Sequence, residues 1–562
     1  MNLLAVPVEL TLSIIAHLPI PSIHALQRVC KQLNDFVCAN ESQIYHTAAS
    51  YHTWIPSTAL SFDEITSVHS ARSIYGVQDW KSFCQRHFQI ERSWSGRDFS
   101  SLSPFTATEN EVHRIKVDEK AGIIITTVQN GGIRVVDIVE NKLLWSLPRE
   151  YVKQYAHCEY DQGFLIFDRM DRGKEVWILV SSCHSDLPSD EEAKYPPQPD
   201  QVAASGQAAS LHADTDKGHF RPWALFRMPR VTRAFRFVYP TLLVGSSNQF
   251  FLWDIPSRDL VQTISVNPDQ LQQHTPITHF GITQLNYVEV SEQHVVVCNI
   301  SSLLVYARSN GRLVLQLPSD RFTYGSRMYV LRDKVDPPPG INTMMVNHPL
   351  RERIPAEPPA PNRRYLDEFV AAHVSRCGRH LVAMLATSKL VFIKDFQRGD
   401  DDLNERMFQL NLGSSRAGSR YLAFERNKIA VATNNGVFIL NLKQALEDGH
   451  SPLEINVSRV PALFNNLLLS SISCLQLGET GLYFNWNAEV LQSDPTENER
   501  QFSISLRSSA RHARLQTGDY MVMLDPDLPF TSSISTVCSV NMVSTPNDVQ
   551  TQKNASDELI NV

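Results

Sequence analysis

The chain comprises 562 residues, 43% of them hydrophobic and 20% charged, with a formal net charge of −7. This length predicts two or three folding units rather than one simple core, and the mild acidity excludes a general nucleic-acid binder, which needs a net basic face. Nine cysteines are scattered without a C-x-x-C pair, a pattern expected of reduced thiols in the cytosol or nucleus, and no apolar run approaches the roughly 18 residues of a membrane span.

Leu3-Leu4-Ala5-Val6 opens the chain without a basic leader, and Pro7 and Glu9 interrupt the apolar run, so it does not read as a secretory signal. The spacing predicts a short helix carrying Leu10, Ile14, Ile15 and Leu18 on one face. Pro7 suits the first turn, where its missing N–H is no loss, and Glu9 suits the positive end of the helix dipole. Pro19 and Pro21 stop this helix and restart the chain into a second helical stretch with Ile23, Leu26, Val29, Cys30, Leu33, Phe36 and Val37. So few short helices cannot bury this much apolar surface among themselves. Either the following domain covers it, as it would an N-terminal helical cap, or a partner does. Pro7, Glu9-Leu10, Ile14, Leu18, Val29-Cys30-Lys31 and Leu33 together resemble an F-box, the module by which substrate receptors dock on the Skp-type adaptor of SCF ubiquitin ligases. The family usually has Leu where Val6 stands, and Trp or Phe is common where Leu33 stands. The resemblance implies an F-box over residues 1–50, with Pro7, Glu9, Leu10, Ile14, Leu18, Leu26, Val29 and Cys30 as the adaptor-binding residues.

Residues 51–104 are expected to form a helical linker. Before them, Ser42 to His46 predicts a short aromatic-bearing helix. Trp80, Phe83, Cys84 and His87 fall at i, i+3, i+4 and i+7, one face of a helix, with Trp94 further on. This is the pattern of an amphipathic helix packed on the next domain. Its order and distance behind the first motif also resemble the linker of F-box proteins that carry a WD-repeat propeller.

From Val112 onward the periodicity becomes that of strands. Val112 to Val117, Ile123 to Val128, Ile133 to Asp137 and Lys142 to Leu147 make four short strands, with the turn Asn130-Gly131-Gly132 between two of them. Such a unit describes one propeller blade. Similar groups start near Gly163, Ala234 (with Trp253-Asp254 at the place of a WD dipeptide), Gln284, Ala371, Tyr421 and Ile472. The seventh group is expected to draw its later strands from Phe502 to Leu506 or Tyr520 to Leu524. The expected fold class is α+β multidomain: a small N-terminal helical F-box and helical linker, then an all-β propeller of about seven blades over residues 105–530. The alternative is a pair of smaller all-β domains, because only one clear Trp-Asp occurs. Two polar, Pro-rich intervals, 184–222 and 335–363, read as mobile surface insertions, and residues 531–562 as a disordered tail.

No phosphate loop, zincin, hydrolase-elbow or dinucleotide motif occurs, so no catalytic residue, cofactor or metal ligand is assigned, and Asp400-Asp401-Asp402 reads as a solvated loop. Arg221, Arg227, Arg230, Arg233 and Arg236 are the one charged feature to weigh. Guanidinium groups bind phosphate and carboxylate well, which makes Arg230 and Arg233 candidates for contact with an acidic or phosphorylated partner, against a plain reading as solvated surface. The reading that joins these parts is a non-catalytic substrate-recognition subunit of an SCF-type ligase. Its partners would be the Skp-type adaptor, through it cullin and RING subunits, and a protein substrate, with no nucleic acid and no membrane. The alternative is a propeller scaffold that binds the adaptor without directing degradation.

Overall fold

The structure is a computed structural model that describes residues 6–544 apart from 56–59, 183–186, 188–193, 247, 266–284, 323–327, 337–338, 354–366, 400, 414–417, 447–450, 464–465 and 489–534. It starts with helices α1 (Val8–Ala16), α2 (Ile20–Gln27), α3 (Lys31–Ala39) and α4 (Glu41–Tyr51), followed by α5 (Ile65–Val68) and α6 (Trp80–Trp94). The prolines act as the sequence implied. Pro7 and Pro19 stand at the N-caps of α1 and α2, and Pro21 lies in the first turn of α2. The second helical stretch is two helices rather than one, since the chain leaves helix at Arg28 and Cys30 becomes the N-cap of α3. No glycine or proline marks this break. It lets α3 fold back, so that Leu33 and Val37 are buried.

Leu12, Ile15, Ile20, Ile23, Val37, Ile44 and Tyr45 share one core with Trp80, Phe83 and Cys84 of α6. Each such side chain contributes about 1.5–3 kcal/mol on burial. α6 is capped by Asp79, whose carboxylate accepts the Ser82 N–H at 2.7 Å. Trp80, Phe83, Cys84 and His87 are all buried, as their spacing predicted.

The strands that follow form seven sheets, antiparallel except where Met328–Leu331 runs parallel to Met407–Asn411, and their innermost strands surround a central axis. Six of the sheets hold four consecutive meander strands, in order outward from the axis, and the seventh completes its four with a strand from the start of the chain. The first blade is Val112–Asp118, Ile123–Val128, Ile133–Asp137 and Leu143–Leu147. The second is Cys158–Asp161, Phe164–Asp168, Lys174–Leu179 and Phe220–Phe226. The third runs from Ala234–Val238 to Asp259–Ser265, and the fourth from Leu285–Val290 to Leu313–Pro318. The fifth begins at Phe369–Val374, the sixth at Ser419–Glu425 and the seventh at Leu475–Leu477. Closure into a ring packs each blade against its neighbours and leaves only short, protected sheet edges.

The ring is closed by strands from both ends of the chain. Ser101–Phe105 pairs along its whole length with Thr536–Asn541, which pairs in turn with Gly481–Trp486. Two expectations are corrected here. The stretch expected to be a disordered tail contains a fully buried strand of the seventh blade, and the linker gives way at Ser101 to that blade's outer strand. The sequence Thr-Val-Cys-Ser-Val-Asn alternates too weakly to stand out, and its partner lies over 400 positions away in the chain. Phe502 to Leu506 and Tyr520 to Leu524 lie outside the described residues.

Both insertions also carry structure where a loop was expected. Within 184–222, helix α7 (Pro199–Leu211) packs Ala204 and Ala208 into the core between the first two blades, and Phe220–Phe226 completes the second blade. Small Ala and Ser side chains let this helix lie close to the sheet, so the composition that reads as low-complexity linker is a packing surface. Within 335–363, Val346–His348 pairs on the outer edge of the sixth blade and Leu350–Arg353 joins the fifth through Met328–Leu331. One inserted segment thus straps two neighbouring blades together.

Candidate functional site

The first candidate surface lies on the helical domain. Leu12 and Ile15 of α1 point into the core, whereas Leu10 is 56% exposed and Ile14 46%. Val29, at the break between α2 and α3, is 68% exposed. Pro7, Val8, Glu9 and Cys30 are exposed around them, and Leu18 and Leu26 are half-buried against the helical core. Of the eight residues expected to bind the adaptor, six therefore stand free and two support them from beneath. The single apolar face anticipated for α1 is in fact two. Ile15 belongs to the inner face and Leu10 with Ile14 to the outer one. The propeller covers none of the outer set, which a plain helical cap would require. The helical domain thus leaves large apolar side chains in solvent on its outer face.

The helical domain is fixed to one end of the propeller. In the first and second blades the first-to-second and third-to-fourth connections lie at that end, and the second-to-third turns lie at the other, together with the connections from the first blade to the second and from the second to the third. Glu479, in the first turn of the seventh blade, receives His69 Nδ1 at 2.5 Å, the Ser70 N–H at 3.2 Å and Arg426 at 3.0 Å. Burial opposes its ionisation, but the His69 hydrogen bond and the Arg426 charge outweigh it and hold the carboxyl well below its usual range. Next to it, Arg72 reaches the Tyr483 hydroxyl and Asn541 Oδ1, each at 2.8 Å. Glu119, from the equivalent turn of the first blade, accepts the N–H groups of Glu479 and Thr480, each at 2.9 Å. A Cβ at Gly478 would run into that carboxylate, which is why glycine stands there. Trp94, buried between the sixth and seventh blades, donates its indole N–H to Glu479 O at 3.1 Å.

His69, His87 and Glu479 form a group with metal-ligand chemistry. The Glu479 carboxylate is already occupied by His69, Ser70 and Arg426, and the adjoining guanidinium disfavours a cation, so the group reads as an anchor of the junction.

The central channel carries a second buried network. Glu159 on the inner strand of the second blade meets Lys116 at 2.7 Å, His157 at 3.0 Å and Arg236 at 2.8 Å. Arg236 continues to Glu289 of the fourth blade at 3.1 Å, and Glu289 meets His373 of the fifth at 2.5 Å. His373 then faces Leu422 O of the sixth blade at 3.0 Å. Burial works against charge on Glu159, yet Lys116 and Arg236 keep its carboxyl well below the usual value, and Arg236 with His373 lowers that of Glu289 against the same burial. Sequence reading missed these two carboxylates, because their partners come from different blades and no local pattern signals them.

The arginine cluster is therefore divided by the fold. Arg236 belongs to the channel. Arg221 lies over the Trp223 ring at 5.7 Å. Arg227, Arg230 and Arg233 are exposed on the connection between the second and third blades, at the end of the propeller opposite the helical domain. Arg233 also gives its backbone N–H to Gly245 O at 2.9 Å.

Comparison with known proteins adds one sequence match: residues 3–43 match the F-box domain family. No curated protein matches the chain. Solved structures with a similar course include the RRP9 WD40 repeats, at 8% identity and a TM-score of 0.40 over 78% of this chain and 97% of that one. They also include U3-55K, at 9% identity and a TM-score of 0.41 over 78% of this chain and 98% of the other. The propeller assignment rests on the seven sheets themselves.

Proposed function

We propose that this chain, an F-box domain joined to a seven-bladed β-propeller, is the substrate-recognition subunit of an SCF-type ubiquitin ligase, acting in the cytosol or nucleus. F-box domains bind Skp-type adaptors and propellers bind protein partners, an architecture typical of non-catalytic adaptor proteins. The observation that carries the reading is the outer face of α1 with the α2–α3 break: Leu10, Ile14 and Val29 lie exposed within the matched domain. The adaptor would cover them and bring cullin and RING subunits with it. The propeller would hold a protein substrate, and catalysis would come from proximity supplied by the assembly. A rigid junction suits that task, because a substrate held at a fixed distance from the ubiquitin donor gains effective concentration.

The test is affinity purification with mass spectrometry under proteasome inhibition, comparing the intact chain with the Leu10→Asp/Ile14→Asp variant. A receptor captures the same substrates in both cases but yields ubiquitinated forms only with the intact chain. Partners whose ubiquitination and turnover are the same in both backgrounds would instead make the chain a scaffold.

A further inference from the structure

We propose that the rim of the propeller over its second blade, formed by Tyr155, Met170, Arg172, Arg227, Arg230 and Val231, is the substrate-docking surface, and that it reads an acidic protein segment with bulky apolar side chains. This inference rests on the receptor reading above and supplies the chemistry of its substrate.

The fold brings these residues together from three loops. Tyr155 lies on the connection into the second blade, Met170 and Arg172 on that blade's second-to-third turn, and Arg227, Arg230 and Val231 on the connection out of it. All three loops lie at the same end of one blade, opposite the helical domain. Lys153 meets Asp168 at 3.4 Å, which ties the first loop to the end of the strand that leads into the second. Tyr155 is 59% exposed, Met170 65% and Val231 59%. Such large apolar groups on one small sector, mixed with arginine, have the composition of interface hot spots.

The charges on this sector are unbalanced in one direction. Arg149 is paired with Glu150, and Arg169 with Asp171 and Asp200. Arg172, Arg227 and Arg230 are exposed and make no ion pair among the described residues. The channel offers an incoming acidic chain little by comparison, since Lys116 and Arg236 are already spent on Glu159 and Glu289.

The geometry favours spaced carboxylates over one phosphate. Tight phosphate binding needs several donors converging on a single group. Here the guanidiniums stand on two separate loops and none is buried. Carboxylates distributed along an extended segment can meet them one by one, while an intervening apolar side chain packs on Tyr155 or Met170. Because the F-box lies at the other end, such a partner and the adaptor bind without competing.

The experiment measures fluorescence anisotropy of labelled peptides with the full chain bound to its adaptor. The probes are a repeating Glu-Glu-Leu peptide, a repeating Glu-Glu-Ser peptide and a Ser-Ser-Leu peptide with one phosphoserine. The Glu-Glu-Leu probe should bind most tightly and weaken as salt is raised. Its affinity should fall at least roughly tenfold in Arg172→Glu/Arg227→Glu/Arg230→Glu, and several-fold in Tyr155→Ser/Met170→Ser. Unchanged affinity in both variants, or tighter binding of the phosphoserine probe, would overturn the proposal. Adaptor binding is measured separately on the same proteins. Its absence in the unmodified chain would strike the receptor reading, whereas an unresponsive rim with normal adaptor binding would strike only this inference.

Discussion

At the scale of single residues, adjacent positions of α1 have opposite fates. Leu10 and Ile14 face solvent while Leu12 and Ile15 are buried. Periodicity identified the helix and its apolar character, but it could not separate an inner from an outer face when both are apolar. His87 shows a different limit. Its helical spacing marked it as core, but its environment comes from elsewhere: Phe83 on its own helix, His69 on the loop after α5, and Glu479 in the propeller. Burial first, then the neighbouring His69 and the Arg426 and Arg86 guanidiniums, lowers its pKa to about 3. The folded state thus keeps this imidazole neutral where the unfolded chain takes up a proton below about pH 6.5. Stability is therefore full above that pH and falls as the pH drops from it toward the folded value, by up to about 1.4 kcal/mol per pH unit for this one group. Urea unfolding at neutral pH and at about pH 5.5 should show a smaller acid loss in His87→Phe than in the unmodified protein, by on the order of 1 kcal/mol. Equal acid losses would mean that His87 protonates freely in the folded state.

At the scale of elements, α6 joins the two domains. Its first half shares the F-box core, and its last turn places Ile90 and Trp94 among side chains of the sixth and seventh blades. Trp94→Ala should cost about 3–5 kcal/mol of packing and free the helical domain from the propeller without unfolding either. Hydrogen exchange should then rise in α6 and around Glu479 while the second to fourth blades keep their protection; unchanged exchange in α6 would show that the junction does not depend on this tryptophan. The strands of the first, third and fourth blades were legible because alternation and turn residues recur there at regular spacing. Helix α7, the strap at 346–353 and the strand at 536–541 were not. Each is a segment of weak local pattern that is ordered by packing or pairing against another element. Tertiary context overrode composition in all three.

At the scale of the whole molecule, the propeller has two working ends. One holds the F-box through Glu479, Glu119 and Trp94, and the other carries the unpaired arginines of the second blade's rim. Between them the ring is held by its closing strands and by the channel network. Val540→Asp puts a carboxylate into the buried strand that pairs with Leu102 and Leu482, and a charge placed there is costly. Ring closure couples the blades, so this change should lower the urea midpoint of the entire propeller, which tryptophan fluorescence of the first and third blades would follow. A midpoint shift confined to the seventh blade would contradict that coupling. The F-box itself was legible from its residues, since short motifs survive in a single sequence; the substrate surface was only partly so, with Arg230 in view but Tyr155, Met170 and Arg172 hidden in separate loops. The account stands most directly on whether the exposed face of α1 docks on a Skp-type adaptor. Calorimetric titration of that adaptor into the purified chain should give one tight site, and Leu10→Asp/Ile14→Asp should abolish it, with about 2 kcal/mol or more lost per anchor. Because both residues are exposed in the free chain, the variant should keep its circular dichroism spectrum and melting temperature. A folded double variant that binds the adaptor as tightly as the unmodified chain would contradict the account.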